Sequence, residues 1–198
     1  MLKLFQKIVI GAASFALITG CASSPPPHFY VLEAQKLPNT VVATSPNTKV
    51  IGIGPISIPA LLDRKQIVTR SDQSTVEISE FHQWAEPLRD NIASVVTQNL
   101  ASLQPHNVIR GYPWSAYGSV NHRVIIDIDR FDTQTGKHAI LEARWLIMEE
   151  KGHIVFENHY SKIEHQLNDA TYPSAVKGLN GVLYEFSQQI SQALDRLN

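Results

Sequence analysis

The chain has 198 residues, and its 17 basic and 18 acidic side chains give a formal net charge of −1. This balance provides no strong basic field with which to attract nucleic acid or anionic lipid headgroups. A single cysteine excludes a disulfide within the chain, and 43% hydrophobic residues are enough for one domain with a sizeable core.

The N-terminal segment has the layout of a bacterial secretory signal. Lysines lie in the first seven residues, an apolar run extends from Ile8 to Ile18, and small residues precede Cys21. The run is too short for a transmembrane anchor, which needs about 20 apolar residues. Residues 18–21, Ile-Thr-Gly-Cys, resemble a lipobox, in which the cysteine is lipidated before cleavage. The alternative is a secretory signal that merely ends near a cysteine.

The lipobox interpretation predicts a signal peptide at 1–20 and a lipidated Cys21 at the mature N-terminus. Removing the two signal lysines lowers the net charge to −3. A diacylglycerol and an N-acyl chain make the anchor permanent, because each buried methylene contributes about 0.8 kcal/mol. Ala22, rather than Asp, follows the cysteine, and by analogy with enterobacterial sorting this indicates the outer membrane.

Residues 21–28 are predicted to form the lipidated cysteine and a proline-rich tether. Its six residues from Ala22 to Pro27 reach only about 19 Å in a polyproline II conformation. A single periplasmic domain, 29–198, therefore lies close to the bilayer.

The first half of the domain contains short strand patterns. They are expected at 29–32, 49–58, 66–70 and 75–79. The polar segment 35–48 and the segment from Pro59 to Asp63 are predicted to be loops, and the Gly-x-Gly-Pro of residues 52–55 predicts a bulge.

The first helix is predicted to begin at Pro87, with Glu86 favouring the helix dipole, and to end before Pro105. Its apolar residues follow helical spacing. Trp84 precedes the helix and would fix its entry by packing.

The second half of the chain predicts an antiparallel meander followed by a helix. Strands are expected at 108–109, 123–131, 138–149 and 154–163, with glycine turns between the last three. A continuous apolar stripe predicts a helix at about 174–197, capped by Asp169 or Thr171. The fold class is therefore α+β, a two-layer sandwich with a mostly antiparallel sheet and two long amphipathic helices.

Eight histidines raise the question of a metal site. They are His28, His82, His106, His122, His138, His153, His159 and His165. None forms a paired helical spacing, and no cysteine of the folded part joins them, so we expect no metal and no cofactor.

Asp127 and Asp129 project from one face of a strand, about 7 Å apart, a separation at which two carboxylates can perform acid–base chemistry. The favoured interpretation places both on the solvent side, opposite an apolar face. No nucleophile or phosphate-binding signature accompanies them, so an envelope hydrolase is the weaker hypothesis.

The other two tryptophans have different expected roles. Trp145 lies in an apolar strand face and is predicted to be core. Trp114 is expected either in the core or in an exposed partner patch.

Several blocks of the sequence resemble a known family. Residues 58–64, Ile-Pro-Ala-Leu-Leu-Asp-Arg, and 66–70, Gln-Ile-Val-Thr-Arg, are similar to a conserved stretch of the PqiC- and YmbA-like ABC-type transport auxiliary lipoproteins. Residues 84–88, Trp-Ala-Glu-Pro-Leu, look like the start of that family's first helix. Lys65 departs from the proline often expected there. The similarity extends over nearly the whole chain.

This resemblance implies a non-enzymatic, lipid-anchored subunit of an MCE-type intermembrane lipid transport system. It would dock or tether a PqiB-like MCE-domain tunnel protein at the outer membrane and maintain envelope integrity. The further partners implied are a PqiA-like membrane protein or an ABC permease. A ring-shaped partner suggests a homo-oligomeric ring by symmetry.

The partner-binding residues expected from the sequence are Leu61, Leu62, Asp63 and Arg64, an apolar loop rimmed by charge. Replacing both leucines with serine would then abolish binding and leave Tm nearly unchanged. In the alternative, both leucines fold onto the core and Asp63 pairs locally with Arg64. A second functional hypothesis is a small periplasmic lipid-binding carrier with a cavity between helices and sheet.

Overall fold

The computed structural model describes residues 24–36, 48–114 and 118–197. Cys21 and most of the loop predicted at 35–48 lie outside the described residues. Within them, eight strands form one mixed sheet, and two helices pack on one of its faces. This α+β arrangement confirms the predicted fold class.

The strands are β1 (His28–Tyr30), β2 (Val50–Ser57), β3 (Gln66–Arg70), β4 (Val76–Trp84), β5 (Val108–Gly111), β6 (His122–Gln134), β7 (His138–Glu149) and β8 (Ile154–Gln166). The helices are α1 (Leu88–Leu103) and α2 (Tyr172–Asp195). Strand β4 continues well past residue 79, where the sequence pattern predicted its end, because its last three residues pair with β1.

Strand β6 is the centre of the sheet. Its antiparallel ladder with β7, and that of β7 with β8, form the predicted meander. On its other side β6 pairs in parallel with β2 and, near its C-terminal end, with β3. Strands β4 and β1 extend the sheet beyond β3, so that β1 and β8 lie at opposite edges.

The core lies between the sheet and the helices. The apolar face of β6, with Val124, Ile126 and Ile128, is buried there, and Trp145 is core as predicted. The apolar stripes of both helices are buried against it. Helix α2 begins at the predicted cap, because the Thr171 hydroxyl accepts a hydrogen bond from the Ser174 amide at 3.3 Å.

The predicted irregularity in β2 is present. Gly54 has a φ of 109°, and the register of β2 on β6 shifts between Ile53 and Ile56. Trp114 is half-buried and covers this strand, since a Cβ at Gly52 would lie 3.0 Å from its ring. The ring is therefore neither fully core nor a freely exposed patch.

Helix α2 lies unusually close to β7 and β8. A Cβ at Gly178 would lie 2.5 Å from the Leu167 side chain, and one at Gly181 would collide with the ring of His165. Because glycine disfavours a helix interior, these two residues indicate that close helix–sheet packing outweighs helix propensity here.

Candidate docking site

Two of the sequence blocks that carry the family resemblance, residues 58–64 and 84–88, meet in the folded protein. Residues 63–65 and 84–88 line one cleft with a volume of about 250 Å³. The Trp84 amide donates a hydrogen bond to the Lys65 carbonyl at 2.6 Å, which joins the two segments directly. Sequence reasoning selected Asp63 and Arg64 but missed the contribution of residues 84–88, although their motif was a signal that could have identified them.

The cleft has an apolar floor that belongs to the hydrophobic core, because Trp84 and Leu88 line it and both are buried. The two leucines that precede Asp63 do not line the cleft. Leu62 is only 4% exposed, and Leu61 packs partly buried against the core. Trp84 therefore fixes the entry to helix α1, as predicted. The exposed-loop interpretation is wrong for Leu62, and its replacement with serine cannot leave Tm unchanged, because a hydroxyl would occupy an apolar core position.

Main-chain hydrogen bonds shape the turn that carries the charges. The Leu62 amide donates to the Pro59 carbonyl at 2.8 Å, and the Arg64 guanidinium donates from Nε to the Leu61 carbonyl at 2.8 Å. The ion pairs found among the described residues do not include the pairing of Asp63 with Arg64 that belonged to the alternative interpretation. Arg64 instead holds the turn closed.

The rim of the cleft carries charges of both signs. Asp63, Lys65 and Glu86 are exposed. Helix α1 begins beside them, and its N-cap residue, Pro87, provides no side-chain hydrogen bond to the first turn. An apolar floor with a polar rim is the usual anatomy of a protein-binding surface. The cleft is therefore suited to bind an apolar side chain of a partner flanked by charged residues.

The outer face of the sheet carries the aspartate pair. Asp127 and Asp129 both lie within ion-pair distance of the Arg144 guanidinium, at 3.4 and 2.6 Å, and the Ser57 hydroxyl donates to Asp127. The pair lies on the solvent side, as favoured from the sequence, and both carboxylates share one arginine as their ion-pair partner.

The histidines among the described residues do not form a metal-binding group. Among residues 24–36, 48–114 and 118–197, no group of three His, Cys, Asp or Glu side chains is placed to hold a metal ion. His165 pairs with Glu185 at 2.8 Å, and His153 pairs with Glu149 at 2.7 Å.

A larger and more polar cleft of about 570 Å³ lies between residues 33–36, the end of β8 and the first half of α2. It contains none of the residues predicted for partner binding. Neither α1 nor α2 has both the length and the hydropathy required to cross a bilayer.

Comparison with known proteins places the chain in a family. The sequence profile of the family described as ABC-type transport auxiliary lipoprotein component matches residues 30–191. By this description, the members of the family are components of transport systems, and the family is not one of enzymes. The matched range includes both segments of the cleft.

Similar proteins occur in two bacteria. The intermembrane transport lipoproteins PqiC of Escherichia coli K12 and of Shigella flexneri are each 21% identical over 180 residues. The match covers 91% of this chain and 93% of each relative.

Solved structures share the fold. A crystal structure of an uncharacterized protein superposes with a TM-score of 0.73 at 17% identity, over 86% of this chain and 99% of that one. Protein XCC0632 from Xanthomonas campestris gives a TM-score of 0.66 at 12% identity, over 86% and 100%. The profile match over most of its length shows that this chain belongs to the ABC-type transport auxiliary lipoprotein component family.

Proposed function

We propose that this chain is a non-enzymatic, lipid-anchored subunit that docks an MCE-domain tunnel protein at the periplasmic face of the outer membrane. In this role it serves intermembrane lipid transport and maintains envelope integrity. The observation that supports the proposal most strongly is the convergence at one cleft of Asp63 and Arg64 with residues 84–88, which belong to two of the blocks that resemble the family.

Anchoring is assigned to Cys21, the only cysteine of the chain, after removal of residues 1–20. Ala22 directs the lipoprotein to the outer membrane. Residues 24–27 are exposed and precede β1 directly, in agreement with a short tether in front of a single domain at 29–198.

The partner is a PqiB-like MCE-domain protein, with a PqiA-like protein or an ABC permease in the same complex. The description of the PqiC relatives as intermembrane transport lipoproteins supports this assignment. A ring of several copies of this chain would match a ring-shaped partner in symmetry.

The carrier hypothesis has less support. The layer between helices and sheet, where an acyl chain would have to lie, is filled by side chains such as Ile92, Val96 and Phe186, which are completely buried. Such dense packing does not favour a lipid cavity in the described part of this layer.

The docking site is tested by exchanging the rim charges. The double variant Asp63→Lys with Lys65→Glu keeps the net charge and leaves Arg64 to hold the turn. Its matched control is Glu150→Lys with Lys151→Glu, an exposed pair at the turn between β7 and β8. Capture of the MCE-domain protein from native membranes should fall about tenfold or more for the first variant only, which corresponds to about 1.4 kcal/mol.

Tm of both variants should stay close to that of the wild type, because all four residues are exposed. Equal capture of the MCE-domain protein by the two variants would contradict the assignment of the cleft as the docking site. Phospholipid that copurifies in place of an MCE-domain protein would favour the carrier.

A further inference from the structure

The segment that follows the tether exposes two apolar side chains. Phe29 is 61% exposed and Val31 is 44% exposed, whereas Tyr30 between them is half-buried and Leu32 is buried. Alternate residues therefore point towards and away from the body of the domain. Phe29 and Val31 are two residues apart on one face of the segment and form a small contiguous apolar surface, the kind of feature that is found at protein and membrane contacts.

The backbone of this segment is fixed by neighbouring elements. The Ala85 amide donates to the Tyr30 carbonyl at 2.9 Å. The amide group of Asn91 accepts from the Leu32 amide at 2.6 Å and donates to its carbonyl at 3.3 Å, and Asn91 is itself buried. Phe29 and Val31 are thus held outward by the fold rather than left there by a loose end.

The inward face of β1 is fixed as well. His28 stacks on His82 with ring centroids 5.1 Å apart, and the Tyr30 hydroxyl lies 2.8 Å from Nδ1 of His82. These contacts hold the side chains next to Phe29 on the opposite face of the strand, so that Phe29 cannot turn into the core.

The position of this segment in the chain favours the membrane as the apolar partner. Strand β1 is an edge strand, and Phe29 follows the proposed lipid attachment at Cys21 by eight residues. Even a fully extended chain holds Phe29 within about 28 Å of the attachment. Phe29 and Val31 therefore stay close to the bilayer whatever the orientation of the rest of the domain.

We propose that Phe29 and Val31 insert into the interfacial region of the membrane that holds the lipid anchor. The inference rests on the anchoring at Cys21 in the proposed function. Glu33 and Lys36 nearby carry opposite charges, so the contact is apolar rather than an attraction to anionic headgroups. Through the hydrogen bond between Ala85 and Tyr30, this contact also sets the height of the docking cleft above the bilayer.

The test uses the mature lipoprotein, purified from membranes and reconstituted into phosphatidylcholine vesicles with or without brominated acyl chains. Phe29→Trp and Val31→Trp each introduce a fluorophore at the proposed contact. Ile154→Trp is the control, because Ile154 is 51% exposed but lies on β8 at the other edge of the sheet. The wild type, with three tryptophans, supplies the baseline.

Brominated chains should quench the fluorophore at positions 29 and 31 and leave that at position 154 unchanged. Emission at positions 29 and 31 should also shift to shorter wavelength on reconstitution. Equal emission with and without bromine, in protein that floats with the vesicles, would overturn the membrane contact and leave the docking role intact. Protein that does not float with the vesicles would refute the anchor and this inference with it.

Discussion

At the scale of single residues, Asp132 is a buried carboxylate, unlike the two aspartates singled out by the sequence. Asp132 is only 2% exposed and accepts hydrogen bonds from Arg70 at 2.7 Å and from Arg130 at 2.9 Å. It thereby joins β3 to β6 at a parallel ladder of two residue pairs. Asp127 is 55% exposed, and its ion pair with Arg144 spans 3.4 Å in contact with water.

We predict that Asp132→Ala lowers the free energy of unfolding by about 2–3 kcal/mol, because two arginines lose their common buried partner. Asp127→Ala should cost less than about 1 kcal/mol, as for other exposed ion pairs. Urea unfolding monitored by tryptophan fluorescence measures both values. Equal losses would contradict the assignment of Asp132 as the structural carboxylate.

At the scale of elements, a stack of rings joins three parts of the fold. His82 on β4 lies between His28 on β1, at 5.1 Å, and Tyr172 on α2, at 3.7 Å. Burial and, to a smaller extent, the nearby His28 hold the pKa of His82 below its usual value. The neutral ring is therefore the form that the folded protein favours.

This lowered pKa makes the stability dependent on pH. The unfolded chain binds the proton of His82 more readily, so the stabilisation is present above about pH 6.5 and is lost as the pH falls through the lower folded pKa. We predict that His82→Phe, which keeps an aromatic ring in the stack, loses less Tm than the wild type between about pH 7.5 and pH 5.

His106→Phe is the control, since His106 is exposed and lies outside the stack. It should retain the pH dependence of the wild type. Part of the dependence should persist in every variant, because burial and Lys49 also lower the pKa of His122. A wild-type pH profile for His82→Phe would show that the stack does not carry the effect.

Elements with strong periodicity could be predicted from the sequence, whereas pairing direction could not. The stripe of α2, the cap at Thr171 and the meander of β6 to β8 are local patterns. The parallel pairing of β2 and β3 with β6 depends on contacts between distant segments, and side-chain alternation is the same for both directions.

The site was predictable only in part for a related reason. A register shift in the pairing of β3 with β4 interrupts the alternation of β4, so its second half was missed, together with the approach of Trp84 to Lys65. The burial of Leu62 depends on how the distant segments of the core pack beneath the turn. The local sequence does not specify this packing.

At the scale of the whole molecule, the proposed membrane contact and the proposed docking cleft lie a short distance apart and are directly connected. The N-terminal strand lies beside the proposed anchor, and the Ala85 amide links that strand to the cleft through the Tyr30 carbonyl. A partner bound at the cleft would consequently be held within a short distance of the outer membrane. The central claim is that this partner is an MCE-domain protein.

Affinity purification of the full-length lipoprotein from its native membrane, followed by mass spectrometry of the associated proteins, tests this claim most directly. We predict that an MCE-domain protein is recovered together with its membrane partner. A preparation without any MCE-domain protein, particularly one that carries bound phospholipid, would contradict the docking role.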